Sequence, residues 1–242
     1  MSRFDEADDP RRRLLIKGLA AGLFAATVPD REALAWDIFG TVPHKLPLGQ
    51  SIYSMRGEVL HNDKPATFSS IIKPNDTIVT KDKSEVIFVV GGNSMIMREN
   101  SHLKMQGDDS NFLIQGLRLF AGKLLSVSRS EGTIIKTSTA TIGIRGTGYY
   151  IESDPERTYF CTCYGITDVE STQDPTSNDR IVSKHHDNPY YILSGEPEGK
   201  NLRPAPFINH TDQELKLIET LVGRVPPFIF SGTEYTGPRR GY

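Results

Sequence analysis

This sequence lacks most of the features that assign a protein at sight. No stretch approaches the roughly twenty apolar residues that cross a bilayer. A net charge of −2 over 242 residues leaves no basic excess and no acidic tail, so nucleic acid is not an expected partner. GIRGTG (143–148) lacks the Lys-Ser/Thr ending of a phosphate loop and no helix pattern follows it, so its glycines read as strand architecture. No serine, histidine and acid set carries a local catalytic signature, and neither repeats nor heptads occur. Cysteine is scarcest of the reactive residues: Cys161 and Cys163, in YFCTCYG, are the only two.

What is present begins with an address. PRRRLLIKGLAAGLFAATV sets Arg11, Arg12 and Arg13 before an uncharged stretch of eleven residues, Gly18 to Val28, and Ala33-Leu34-Ala35 follows as a small-x-small cleavage pattern. Aligned on Arg12 and Arg13, the segment is similar to a bacterial twin-arginine export signal. Cleavage after Ala35 is expected to release a chain starting at Trp36 into the periplasm, with no stable membrane span in the mature form. That compartment is oxidising and permits disulfides. Signals of this kind carry chains that are already folded, sometimes with a cofactor in place.

The rest reads as mainly β, a sandwich or rolled sheet of short strands with one short C-terminal helix. EVIFVV (85–90), Gly91-Gly92-Asn93 and SMIMRE (94–99) spell a hairpin. FLIQGLRLFAGKLLSVS (112–128) alternates and breaks at Ala121-Gly122, while GTIIKTSTATIGIRGTGYYIES (132–153) is rich in Thr, Ile and Tyr. TYFCTCYGITDVES (158–171) reads as strand, Gly-centred turn, strand, and VSKHHDNPYYILS (182–194) as a strand pair around Asn188-Pro189. Residues 195–206 read as a proline-rich linker. Thr211 and Glu214 form a capping box ahead of Leu215, Ile218 and Val222, which predicts a helix over 212–222.

Residues 50–172 resemble the FecR-type periplasmic domain. The likeness is carried by Gly57-Glu58-Val59, by IKPNDTIVTKDKSEVIFVVGGNSMIM with Asn75-Asp76 where Gly-Asp is commoner, by LRLFAGKLLSV, and above all by IIKTSTATIGIRGTGYYIE before TYFCTCYGITDVES. Arg145-Gly146-Thr147 is its most distinctive structural stretch. Residues 36–49 then form a lead-in and 173–242 a C-terminal extension. The best-known members are transmembrane regulators that relay a signal to a cytoplasmic sigma factor. Here an export signal directly precedes the domain, so that role is not carried over. The resemblance implies a sensing or binding module without catalysis, with an envelope protein or a small ligand as its unnamed partner.

The Cys/His set is where chemistry can reside. In an extended strand Cys161 and Cys163 share one face, and His185-His186 and His210 are the other nearby soft ligands in sequence. Three readings stand. The thiols are core residues; or they hold a transition metal (Zn, Cu or Fe) with His185 and His186; or they form a disulfide, which the i, i+2 spacing would strain. An exported redox or metal-dependent enzyme using the same residues, and a structural envelope component, are the alternatives to a binding module.

Overall fold

A computed structural model describes residues 43–227, apart from the side chains of Arg129 and Ser130; Arg12, Arg13, Ala33 and Ala35, on which the expectation of an export signal rests, lie outside this range. Thirteen strands form one sheet: β1 (Ile52–Arg56), β2 (Val59–His61), β3 (Lys64–Pro65), β4 (Thr77–Thr80), β5 (Glu85–Val90), β6 (Asn93–Met97), β7 (Ser101–Asp108), β8 (Leu113–Lys136), β9 (Ala140–Ser153), β10 (Arg157–Ser171), β11 (Asn178–Ser183), β12 (Tyr190–Leu193) and β13 (Leu202–Pro204). Among the described residues one helix, α1 (Asp212–Leu221), follows. Among the described residues no helix is long and apolar enough to cross a membrane.

The main path runs β13-β12-β10-β9-β8-β7-β4-β2-β3, and a second limb, β6-β5-β1, branches from β8. Branching is possible because β8 is long: its first part pairs β7 and its middle part pairs β6, while β9 follows its other edge. One face of the sheet buries Ile78, Phe88, Met97, Leu103, Leu119, Ile142, Ile151, Phe160 and Ile192 in a single cluster. Helix α1 packs against a different cluster. The sheet therefore covers its own inner face by rolling, and the helix covers part of its outer face.

The expected hairpin is present, with Val90 paired to Asn93 across Gly91-Gly92. The helix forms with the capping box intact: Thr211 accepts from the Glu214 amide, and the Glu214 side chain accepts from the Thr211 amide. Three expectations need correction. Glycine positions expected to end short strands instead sit within or beside irregular registers of continuous strands, so β8, β9 and β10 run 24, 14 and 15 residues. Gly165, at φ 92°, is such a bend and not a turn between two strands. β11 and β12 do not pair with each other; each pairs with β10, β11 against Gly165–Glu170 and β12 against Arg157–Phe160. Residues 178–204 thus extend the same sheet, and the stretch expected to be a linker contains β13.

The turn at Asn75-Asp76 is held by the Asp76 side chain. Its carboxylate accepts from the Lys73 amide, Asn62 Nδ2 and His61 Nε2, each at 2.7 Å. Asn75, at φ 97°, occupies backbone that glycine adopts freely, and its side chain compensates by bonding Gly107 N and O, each at 3.0 Å. Partial burial opposes ionisation of Asp76, but the hydrogen bonds from Asn62, His61 and Lys73 outweigh it and hold its carboxyl below the ordinary value. A depressed folded-state value contributes stability above the unfolded pKa of about 3.9, and the contribution is lost as pH falls through the folded value. Asp76→Asn is expected to cost about 1–3 kcal/mol at pH 7 in urea unfolding, shrinking by about pH 3. A cost that stays constant over that interval would contradict this account.

Candidate metal centre

β10 is buried on both faces, and its register decides which residues meet the C-terminal segment. Phe160 joins the inner core, whereas Tyr159, Cys161 and Cys163 face the helix side. Regular alternation would put Tyr164 with Phe160. It lies instead with the cysteines, because the ladder to β9 skips Cys163 between Thr162 and Tyr164 and the strand then bends at Gly165. Arg145-Gly146-Thr147 is the matching irregularity on β9. Gly146 has φ 70°, and the buried Thr147 hydroxyl donates to the Tyr164 carbonyl. Gly148 leaves room for the Tyr164 ring, which would lie 2.5 Å from an added Cβ. Arg145 itself points to solvent and pairs with Asp168 at 2.7 Å.

Four ligating atoms converge on this bulge: Cys161 Sγ, Cys163 Sγ, one nitrogen of His186 and one of His210, all within 4.8 Å of one another. All four residues are buried, His186 being the most accessible at 8%. The cysteines come from β10 and His186 from the bend after β11. His210 comes from the segment leading into α1. His186 adopts φ 55°, a left-handed conformation that is uncommon for a non-glycine residue, and its amide donates to the Cys163 carbonyl at 2.8 Å. Aromatic rings wall the imidazoles: Tyr150 stacks on His210 at 4.5 Å, and Phe207 lies 4.4 Å from the His186 ring and 4.3 Å from that of His210.

The outer contacts fix the tautomers. His186 Nε2 lies 2.9 Å from Asp212 Oδ1, and His210 Nδ1 lies 2.7 Å from the Ile208 carbonyl. Carboxylates and carbonyls only accept, so those nitrogens carry the protons. In neutral rings His186 Nδ1 and His210 Nε2 then present lone pairs to each other at 3.1 Å, with Cys161 Sγ 3.6 Å from the same His186 nitrogen. Two facing lone pairs repel unless a proton on one ring or a metal ion lies between them; burial opposes that proton on His186, but the contacts from Cys161 and Asp212 outweigh it. A tetrahedral ion with metal–nitrogen distances of about 2.0–2.1 Å and metal–sulfur of about 2.3 Å requires edges of about 3.3 Å N–N and about 3.5 Å S–N. The 3.1 Å and 3.6 Å edges are close to these values.

Of the four ligands predicted from sequence, the structure brings together Cys161, Cys163 and His186. His185 lies outside that set: its ring is 4.8 Å from that of His186, but its Nε2 bonds the Asp212 carboxylate at 2.9 Å, so it groups with His186 and Asp212 instead. Its place in the cluster is taken by His210, which sequence reasoning noted ahead of the helix but did not select. Asp212 was missed; its only signal was its position beside the capping box. Burial opposes ionisation of Asp212, yet hydrogen bonds from His185 and His186 hold its carboxyl below the ordinary value. It also sits in the first turn of α1, where the helix dipole favours an anion. The thiols differ. Burial works to raise Cys161, but contacts from Cys163, His186 and His210 pull it well below the ordinary thiol value, whereas burial and then Cys161 itself push Cys163 well above. Both cysteines are free thiols, not a disulfide.

Comparison with known proteins adds little to this geometry. No family model matches the chain, and no curated protein matches it. Two crystal structures from Parabacteroides distasonis ATCC 8503, each provisionally described as an anti-sigma factor, are similar to it at 12% identity with TM-scores of 0.41 and 0.40. Each similarity covers 53% of this chain and 57% of the other, so the chain spans little more than half the length of the proteins it is similar to.

Proposed function

We propose that this chain is a non-catalytic, FecR-like binding or sensing module of the bacterial periplasm, whose C-terminal segment completes a Cys161, Cys163, His186, His210 site for zinc. The convergence of two thiols and two basic imidazole nitrogens, with each imidazole's second nitrogen hydrogen-bonded outward, carries the reading. Ligating histidines characteristically donate their other N–H to a carboxylate or carbonyl, as Asp212 and the Ile208 carbonyl accept here. Tetrahedral S2N2 sets suit zinc. Four protein ligands in a buried pocket leave no open position for water or substrate, which favours a structural or sensing centre over a catalytic one. The twin-arginine-like signal supports an exported chain that folds, and takes up metal, before it crosses the membrane.

The test is metal analysis and thiol titration of the full chain purified from the periplasm with its own signal. The expected result is about one zinc per chain with both thiols unreactive until chelation, and no zinc in Cys161→Ser/Cys163→Ser. Wild type carrying no metal, or a double variant that keeps it, would overturn the proposal.

A further inference from the structure

The site and helix α1 share a joint. Residues 205–222 lie over the outer face of the sheet, where Ile208, Leu215, Ile218 and Leu221 bury against Ile87, Ile96, Leu125, Val127 and Tyr150. A helix of ten residues is marginal on its own in water, so α1 exists only while it is docked. Its polar anchors are dispersed. Arg98 reaches the Asn209 carbonyl and Glu214, each at 2.9 Å, and Tyr164 donates to Glu219, which also holds Arg224 at 2.6 Å. The metal cluster bonds the start of this segment twice. His210 supplies a ligand just before the N-cap Thr211, and Asp212, the first helical residue, accepts from His186 on the opposite loop.

We infer that metal binding and docking of the C-terminal segment form one coupled equilibrium, and that Asp212 is the positioning residue that joins them. The inference rests on the metal reading above. The sign follows from the site. Without a metal ion, only a proton on one ring can bridge His186 Nδ1 and His210 Nε2, which lie 3.1 Å apart across the joint between the His186 loop and the segment. Moving the segment away relieves that contact and lets water reach both rings. With a metal ion, the same two nitrogens draw the segment down. Linkage makes the effect reciprocal: whatever holds the segment in place tightens the metal. The segment is therefore a metal-controlled cover over an apolar strip of the sheet.

Hydrogen exchange of the full chain, with zinc and after chelation, tests this. Peptides from 205–222 should exchange about 5–150-fold more slowly with zinc, while β9 peptides of the inner core stay unchanged. Asp212→Asn should bind zinc about 10–100-fold more weakly and shift the visible spectrum of the Co2+-substituted protein, because His186 loses its fixed orientation. One zinc bound with no change in exchange over 205–222 would overturn the coupling while leaving the metal site standing. No zinc bound at all would overturn the site itself. An Asp212→Asn protein with wild-type affinity and an unshifted spectrum would remove Asp212 from the role.

Discussion

Replacing His210 with alanine is expected to weaken zinc binding by more than about 100-fold, whereas His185→Ala should stay within the about 10–100-fold of an outer-shell loss. The contrast follows from where two neighbouring imidazoles and one distant one end up. His210 presents a basic nitrogen to the cluster. His185 instead donates its Nε2–H to the carboxylate that steadies His186. A competition titration against a chromophoric chelator measures both. Thermodynamic linkage gives a second readout: zinc at a thousandfold excess over its Kd should stabilise the wild-type chain by about 4 kcal/mol, and the same addition should stabilise His210→Ala by less than about 1.4 kcal/mol. Should His185→Ala prove the more damaging change, the ligand set would be Cys161, Cys163, His185 and His186, and the placement of His210 would be wrong.

The largest effect on folding is expected at a residue remote from the site. Gly122 sits in β8 at φ 95°, and a Cβ built on it would lie 2.2 Å from Ser101 Oγ and 2.3 Å from Ser101 Cα. Ser101 cannot step aside, because it is buried at the start of β7 and its hydroxyl accepts from the Lys123 amide at 2.8 Å. Gly122→Ala therefore combines a left-handed backbone penalty of about 1–2 kcal/mol with overpacking of about 1–3 kcal/mol. Loss of about 2–5 kcal/mol, read as a lower urea midpoint at unchanged slope, is expected. Gly132→Ala is the control. Its φ is 86° with nothing within 4 Å of the added atom, so only the backbone cost of about 1–2 kcal/mol applies. Equal losses at the two glycines would show that close approach of β7 is not what requires Gly122.

Several features were legible in advance because they are local. Alternating Val, Ile, Thr and Tyr fixes extended backbone, Gly91-Gly92 fixes a tight hairpin, and Thr211 with Glu214 fixes a helix start. The same locality placed Cys161 and Cys163 on one side of a strand. The break at Ala121-Gly122 was visible too, but not its meaning. A glycine inside a strand pattern signals a bend, and only the partner strand shows whether the chain turns back or runs on through it.

Local pattern fails where one residue out of step reverses a face. Period-2 reading put Tyr164 opposite the cysteines; the skipped register at Cys163 and the bend at Gly165 bring it round to bond Glu219 of the helix. Adjacent His185 and His186 are equivalent in sequence and both bond Asp212, but only His186, at a left-handed φ, also presents a nitrogen to the thiols. His210 lies 24 residues beyond His186, and nothing in that interval encodes their meeting. It arises because β11 and β12 both dock on β10 and return the chain across the outer face. Residue type and spacing by themselves determined a mainly β chain, one capped helix and a pair of thiols that can act together. Tertiary structure decided which histidines face those thiols, because that depends on bulges, a strained backbone angle and long-range strand pairing, none of which has a local signature.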